Sequence, residues 1–405
     1  LIDWYFPAAP SLFPSLLVVY IINLFTENIY FSNIFFVCLQ ALHLYILLYF
    51  LLKYFTDQRY ASFFSFVILS FNIIIFDFVP FLYYSKVDHH FGNFLNLLFC
   101  LLLTVNQLYK SNNLNAVCLF ALLAISTISN PLIIAQFSLP ILLALMLIEK
   151  IEKNNRLIIL TIIISSSITG YLIKEIFFNN NLTDVTISYN MVINSIYHIK
   201  IFFTQISTIS QNLIILPFIY FLFLLGMKLF NKTRIPNVQH HFLIFFVSFS
   251  FITSITIVLF FPVNIQFRYI INIYYLSIMT SIILLYPFIN NSYKLYNKLI
   301  GRYFYLFLVL ITLFRTDFSK KLSFNYYPGF VSYFDKIANE KKLEYGFADY
   351  WDANRLYVLS KSELKGIVPV RIDDYNKVIL RKFNTSRLWI NKEFDFSYNI
   401  NPKKI

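Results

Sequence analysis

Ten apolar stretches, most of them about as long as a helix that crosses a bilayer, take up most of this chain. They lie near 29–52, 60–83, 91–109, 113–129, 131–148, 157–177, 211–230, 241–262, 268–289 and 301–316. In lipid, backbone N–H and C=O groups must find partners within the protein, so such stretches fold as helices. The expected fold class is therefore mostly α, a polytopic membrane helical bundle. Composition agrees: of 405 residues 58% are hydrophobic and 13% charged, where a soluble domain carries about 25% charged residues. The net charge of +13 does not point to nucleic acid, because the basic residues sit at helix ends, where they report topology. Cys38, Cys100 and Cys118 all lie within apolar runs and read as small core residues, not as a disulfide framework. Asn, Ile, Lys, Phe and Tyr are abundant throughout, so a single Asn or Tyr carries little information.

The charges between the stretches sort by side. One set of loops holds Lys53, Arg59, Lys110, Lys150, Lys153, Arg156, Lys228, Lys232, Arg234, Lys294, Lys298 and Arg302. The alternate set holds Lys86, Lys174, Lys200 and Arg268. Twelve cations against four make the first set cytoplasmic. Residues 1–28, the loops 84–90 and 178–210, the turn 263–268 and the tail 317–405 then face outside. The expected location is the plasma (inner) membrane, crossed many times, with the tail extracytoplasmic.

Local punctuation refines this layout. Asn130-Pro131 is a helix break between two short stretches. The stretch 11–24 contains Pro14 and reads as an amphipathic helix along the interface. Because Leu1 leads at once into Asp3-Trp4-Tyr5-Phe6-Pro7 without a signal peptide, a further membrane helix before Leu1 is expected. The domain division is 1–316, the transmembrane domain, and 317–405, a small soluble α/β domain. In the latter, Pro328-Gly329 precedes an expected helix, Phe330 to Lys342, and strand-like runs follow at 343–347, 355–359, 366–370 and 377–382.

Polar features gather at the expected outer face. Asp3 follows a membrane exit and stands beside aromatics; partial desolvation can raise such a carboxyl's pKa and make it a base near neutrality, or it is an ordinary loop acid. Asp88-His89-His90 closes a short loop before the 91–109 helix. A carboxylate and an imidazole can ligate a divalent metal or hold a phosphate; alternatively Asp88 caps the helix. Asp77 sits near the outer end of a span, where an acid is by default a functional candidate unless the interface wets it. Lys174-Glu175 reads as an interfacial pair. Arg268-Tyr269 opens a late span, where an Arg can fork onto a lipid-linked phosphate or anchor the helix among headgroups. The seven glycines are scattered, so no Gly-rich phosphate loop exists, and neither a Ser-His-Asp spacing nor a Cys/His zinc signature is present.

An outer loop with an acid and an interfacial helix, a pair of spans, then a short second outer loop with another acid resembles the GT-C superfamily of integral-membrane glycosyltransferases. Asp3 holds the position of that superfamily's first-loop carboxylate, Asp88-His89-His90 that of its second-loop acid or histidine, and Phe267-Arg268-Tyr269 is similar to an Arg-Tyr associated with donor phosphate. Tyr345-Gly346-Phe347-Ala348-Asp349-Tyr350-Trp351-Asp352-Ala353 looks like a tail segment of bacterial proteins in this group. The resemblance implies transfer of a sugar from a polyprenyl-phosphate donor to a glycan, lipid or protein acceptor outside the membrane. It implies Asp3 and Asp88 as catalytic groups, and His89, His90, Arg268 and Tyr269 as substrate-binding ones; Asp77, an acid within a span, is added to the latter on its position alone. It also implies a divalent metal, Mg or Mn, held by Asp3, Asp88 and His89. Two departures bear on that metal: Trp4 follows Asp3 where several families have a second acid, and the second loop has one acid. The rival readings are a transporter or lipid flippase, a polysaccharide polymerase, and a noncatalytic scaffold. A transporter would show repeated halves and midplane charges, a polymerase paired arginines in large outer loops.

Overall fold

The computed structural model describes residues 12–26, 29–74, 91–148, 151–178, 238–260, 271–293, 329–343, 345–349, 360–362, 366–372 and 378–380, with single positions elsewhere. These residues are mostly helical and fall into two compact units, one within 11–177 and 185–321, the other within 1–10, 178–184 and 322–405.

In the first unit, a π-helical turn at Leu12–Leu16 leads into α1 (Leu17–Asn23). Then come α2 (Ile29–Lys53), α3 (Gln58–Ile74), α4 (Phe91–Tyr109) and α5 (Asn113–Ser129). A second π-turn (Ile134–Ser138) runs into α6 (Leu139–Leu147), followed by α7 (Lys153–Phe178), α8 (Val238–Phe260) and α9 (Ile271–Tyr293). Four stretches among the described residues are long and apolar enough to cross a membrane: Ile34–Lys53, Phe91–Tyr109, Lys153–Phe177 and Val238–Ile257. At 1.5 Å per residue, about 20 residues span the roughly 30 Å hydrocarbon layer. The helices Asn113–Ser129, Ile134–Leu147 and Ile271–Tyr286 are apolar but shorter. The expected stretches 211–230 and 301–316 lie outside the residues described as continuous elements.

Exposure explains why these helices belong in lipid. On α2, Phe31, Phe35, Leu42, Ile46 and Phe50 are exposed at helical spacing, and α7 presents Leu157, Ile164, Ile168, Leu172 and Ile176. Apolar stripes this long would be unstable in water. The cysteine expectation is corrected here: Cys100 is buried, but Cys38 and Cys118 are exposed. They continue the outward stripes of α2 and α5, the latter with Leu114, Val117 and Ile125. Apolar character in a membrane helix does not select the core, because lipid accepts the side chain equally well.

The break at Asn130-Pro131 ends α5 at Ser129. Asn130 turns extended, and its Oδ1 accepts the Leu132 N–H at 3.1 Å. Asn112 caps the other end, its Oδ1 accepting the Leu114 N–H at 2.9 Å. Close packing uses small residues. A Cβ added at Gly170 of α7 would lie 2.5 Å from the Ala124 carbonyl oxygen and 2.7 Å from Thr127 Cβ on α5. Hydroxyls within the helices bond back to carbonyls one turn earlier, as Thr104 does to Cys100 (2.8 Å) and Thr127 to Leu123 (2.8 Å).

The second unit holds α10 (Gly329–Lys341) and three strands, β1 (Tyr345–Asp349), β2 (Gly366–Ile372) and β3 (Val378–Leu380). β1 and β2 are parallel, pairing Tyr345 with Gly366 through Asp349 with Val370; β3 pairs antiparallel with β2, Val378 opposite Ile372. The expected strand at 355–359 is corrected at Leu356, which is helical, with the Ser360 N–H donating to its carbonyl at 2.9 Å. Ala353 and Leu356 pack together with Val331, and a spacing of three residues puts both on one side of a helical turn.

Candidate functional site

Two helices form the centre of the bundle. α4 is buried on every side along its first two turns, from Phe91 to Leu98, and α9 is buried from Ile271 to Ser277. They start at the same end. The Tyr275 ring of α9 stacks on Phe94 at 4.9 Å and meets Phe91 edge-on at 6.3 Å. The segment Leu12–Leu16 reaches that end as well. A Cβ on Gly92 would lie 2.9 Å from Pro14 Cδ and closer still to Ser15 Oγ, so only glycine leaves room for this segment. Ser129, the last residue of α5, fixes it further: its Oγ accepts the Phe13 N–H at 3.0 Å and donates to the Phe13 carbonyl at 2.9 Å. The stretch expected to lie along the interface thus has its first turn docked into the bundle, while Leu17, Tyr20, Ile21 and Leu24 are exposed.

Beneath this end runs a layer of amides and hydroxyls. The Asn272 side-chain amide donates to Ser250 Oγ at 2.8 Å and Ser254 Oγ at 3.1 Å. Ser250 donates to the Gln136 carbonyl at 3.2 Å, and Asn93 Nδ2 makes a long contact of 3.5 Å with Gln136 Oε1. Ser138 and Ser167 join the turn before α6 to α7 at 2.9 Å. Asn93, Asn96, Gln136 and Asn272 are all buried, and Asn93 Oδ1, Asn96 Nδ2 and Asn272 Oδ1 have no hydrogen-bond partner among the described residues. At this depth an unpaired amide is costly, and polar residues inside a membrane bundle mark functional sites more often than elsewhere. Such groups can orient a polar ligand by accepting and donating hydrogen bonds; they supply no acid or base.

The opposite end is built differently. Tyr54 after α2 donates to Asn106 Oδ1 at 2.7 Å, and Tyr109 donates to the Tyr54 carbonyl at 3.2 Å. One oxygen of Asp57 caps α3, accepting the N–H of Arg59 at 2.9 Å and of Tyr60 at 3.0 Å. Its other oxygen accepts from Tyr286 of α9 at 3.2 Å. The end of α2, the start of α3 and the far ends of α4 and α9 therefore gather together. The Ser129 end, in contrast, holds Lys174 and Glu175, one turn beyond the Gly170 contact with α5; they pair at 3.0 Å, with the Lys174 ammonium 5.8 Å from the centre of the Tyr171 ring.

The residues singled out in the sequence, Asp3, Asp77, Asp88, His89, His90, Arg268 and Tyr269, lie outside the described residues. What is described is where the chain resumes beside them: Phe91 directly follows His90, and Ile271 stands two residues after Tyr269. Among the described residues no group of three His, Cys, Asp or Glu side chains is arranged to hold a metal ion. Asn93, Asn96 and Asn272 do not stand out in the sequence because Asn is abundant throughout the chain. The available signal was position: amides within the first turns of helices that are otherwise apolar.

Comparison with protein-family models, curated proteins and solved structures found no match.

Proposed function

We propose that this protein is a membrane glycosyltransferase of the GT-C kind, moving a sugar from a polyprenyl-phosphate donor to an extracytoplasmic glycan, lipid or protein acceptor. The observation that carries the proposal is the meeting of α4 and α9 at one end, beside the docked segment Leu12–Leu16. Asp88-His89-His90 is joined directly to α4 and Arg268-Tyr269 almost directly to α9. An extended chain covers at most about 3.5 Å per residue, so both motifs are tethered within about 15 Å of helix starts that touch. Asp3 is nine residues before Leu12 and is held less tightly, within about 30 Å.

In this reading that end faces outside, and the chain crosses the plasma membrane about ten times. The residues after 316 form a small extracytoplasmic α/β domain. Asp3 takes the proton from the acceptor hydroxyl as the sugar–phosphate bond breaks, and Asp88 assists at the same centre. Arg268, with Tyr269 and His89 or His90, holds the departing phosphate; Asp77 borders the substrate. A divalent cation, Mg or Mn, would be held by Asp3, Asp88 and His89 and would supply further charge neutralisation at the phosphate. The neutral amide layer below suits the hydroxyl groups of a sugar, which donate and accept.

The test is transfer from radiolabelled polyprenyl-phosphate sugars in membranes carrying the protein, followed by thin-layer separation. Asp3→Asn and Asp88→Asn are each expected to abolish product while the protein still inserts and elutes as the folded species. Full transfer in both variants would reject the assignment of the site, and product unchanged in membranes lacking the protein would reject the activity.

A further inference from the structure

We infer that the notch between the end of α6 and the start of α7 holds one anionic phospholipid. It is a pocket of about 340 Å³ lined by Met146, Lys153, Arg156, Leu157 and Leu160. Its level in the bilayer follows from α7, whose stretch Lys153–Phe177 is long enough to cross and begins at this notch. Lys153 and Arg156, three residues apart, share one side of the first helical turn. Neither forms an ion pair among the described residues. Residues 149–156 carry three cations and two acids, and the described acid, Glu152, turns to Asn155, whose Nδ2 donates to its Oε2 at 3.1 Å. The walls are apolar and open: Met146 is 65% and Leu157 63% exposed.

These features select one class of occupant. A soluble anion has no use for methionine and leucine walls, and a zwitterionic lipid gains little from two unpaired cations. An anionic phospholipid uses both: its phosphate meets the Arg156 guanidinium and Lys153 ammonium, and the first part of an acyl chain lies on Met146, Leu157 and Leu160. The proposal is independent of the sugar-transfer reading and of which compartment this end faces.

Native mass spectrometry of the full chain, titrated with phosphatidylglycerol or phosphatidylcholine, tests it. The expected result is one tightly held phosphatidylglycerol and weaker, graded phosphatidylcholine binding. The pair Lys153→Gln and Arg156→Gln should weaken that first site on the order of 25-fold, about fivefold for each cation. The control pair Lys53→Gln and Arg59→Gln removes the same charge from exposed positions that do not line the notch and should leave it intact. Equal loss in both pairs would mean diffuse attraction to a positive surface and would overturn the site, as would equal binding of the two lipids by the parent chain. Because loop cations also set insertion, Met146→Glu serves as a second variant that keeps both cations. It should weaken the first phosphatidylglycerol by a similar factor, and unchanged binding would overturn the notch as its location.

Discussion

Among the described residues, buried polarity inside the bundle is neutral and shared among helices, whereas in the tail unit it is concentrated in one carboxylate. Asn93, Gln136, Ser250, Ser254 and Asn272 pass hydrogen bonds between α4, the turn before α6, α8 and α9. In the tail, Asp335 is buried on α10 and accepts from Tyr327, Ser360 and Ser362 Oγ (3.0 Å) and the Lys361 N–H (2.7 Å). The difference follows from surroundings and size. Lipid offers no water to share the burden of an ion, so a charge within the bundle would cost several kcal/mol. The tail's described core is small, Val331, Ala353 and Leu356 with partly buried neighbours. A single ion with every lone pair engaged organises a loop that so little apolar surface could not hold.

Removing that ion should produce the largest effect. Asp335→Ala leaves its donors unanswered and is expected to destabilise the tail unit by on the order of 3 kcal/mol, read as lost amide-exchange protection over 329–343 in the full-length protein. Protection in the bundle should not change. The same site predicts a pH dependence with two flanks. Burial alone would raise the Asp335 pKa, but donors from Ser360, Tyr327, the Lys361 N–H and Ser362 outweigh it and hold the carboxyl below its ordinary value. A depressed folded pKa gives stabilisation that is fully present above about pH 4 and lost as pH falls through the folded value. Tyr327 runs the other way. Its hydrogen bond to Asp335, then burial and the carboxylate's charge, push the phenol up to about 12. That stabilisation is complete below about pH 10 and lost as pH rises towards 12. In Asp335→Asn both flanks should flatten; persistence of the acid flank would assign it to another group.

In the bundle the larger effect should come from packing. Gly170 faces the Ala124 carbonyl and Thr127 Cβ at distances where an added Cβ has no room, and a backbone carbonyl cannot step aside as a side chain can. Gly170→Val is expected to destabilise the α5–α7 contact by about 2 kcal/mol, measured as a lowered unfolding temperature in detergent. An unchanged temperature would show that the two helices separate freely at this point.

The expected helix boundaries were met where punctuation was chemical. The stretch 113–129 coincides with α5 because Asn112 caps it and Asn130-Pro131 ends it. What the sequence left hidden was which side of an apolar helix faces protein: Cys38 and Cys118 sit on outward stripes, and hydrophobicity is equal on both sides when the solvent is lipid. The amide layer was hidden by the chain's bias towards Asn. It becomes visible only when α4 and α9 prove to be buried all round, which depends on the other helices. Asp335 was legible in principle, since Val331, Asp335 and Ala338 are spaced four and three residues apart and an acid on an apolar stripe calls for donors.

The smallest expected effect is the most informative about the comparison. Asn272→Ala removes two hydrogen bonds to Ser250 and Ser254, yet the loss should be only about 0.6 kcal/mol, the average for side-chain hydrogen bonds between membrane helices. Partner hydroxyls explain the modest value: Ser250 keeps its bond to the Gln136 carbonyl, and a serine can turn to a carbonyl one helical turn back. Asn272→Asp is the sharper variant, because it puts a carboxyl of the kind the tail tolerates into a layer without a cation among the described residues. That carboxyl should remain protonated at neutral pH, so the variant should lose stability as pH rises while Asn272→Ala does not. If Asn272→Asp is instead as stable as the parent chain across that range, the bundle accommodates charge at this level, and the contrast with the tail would rest on core size alone.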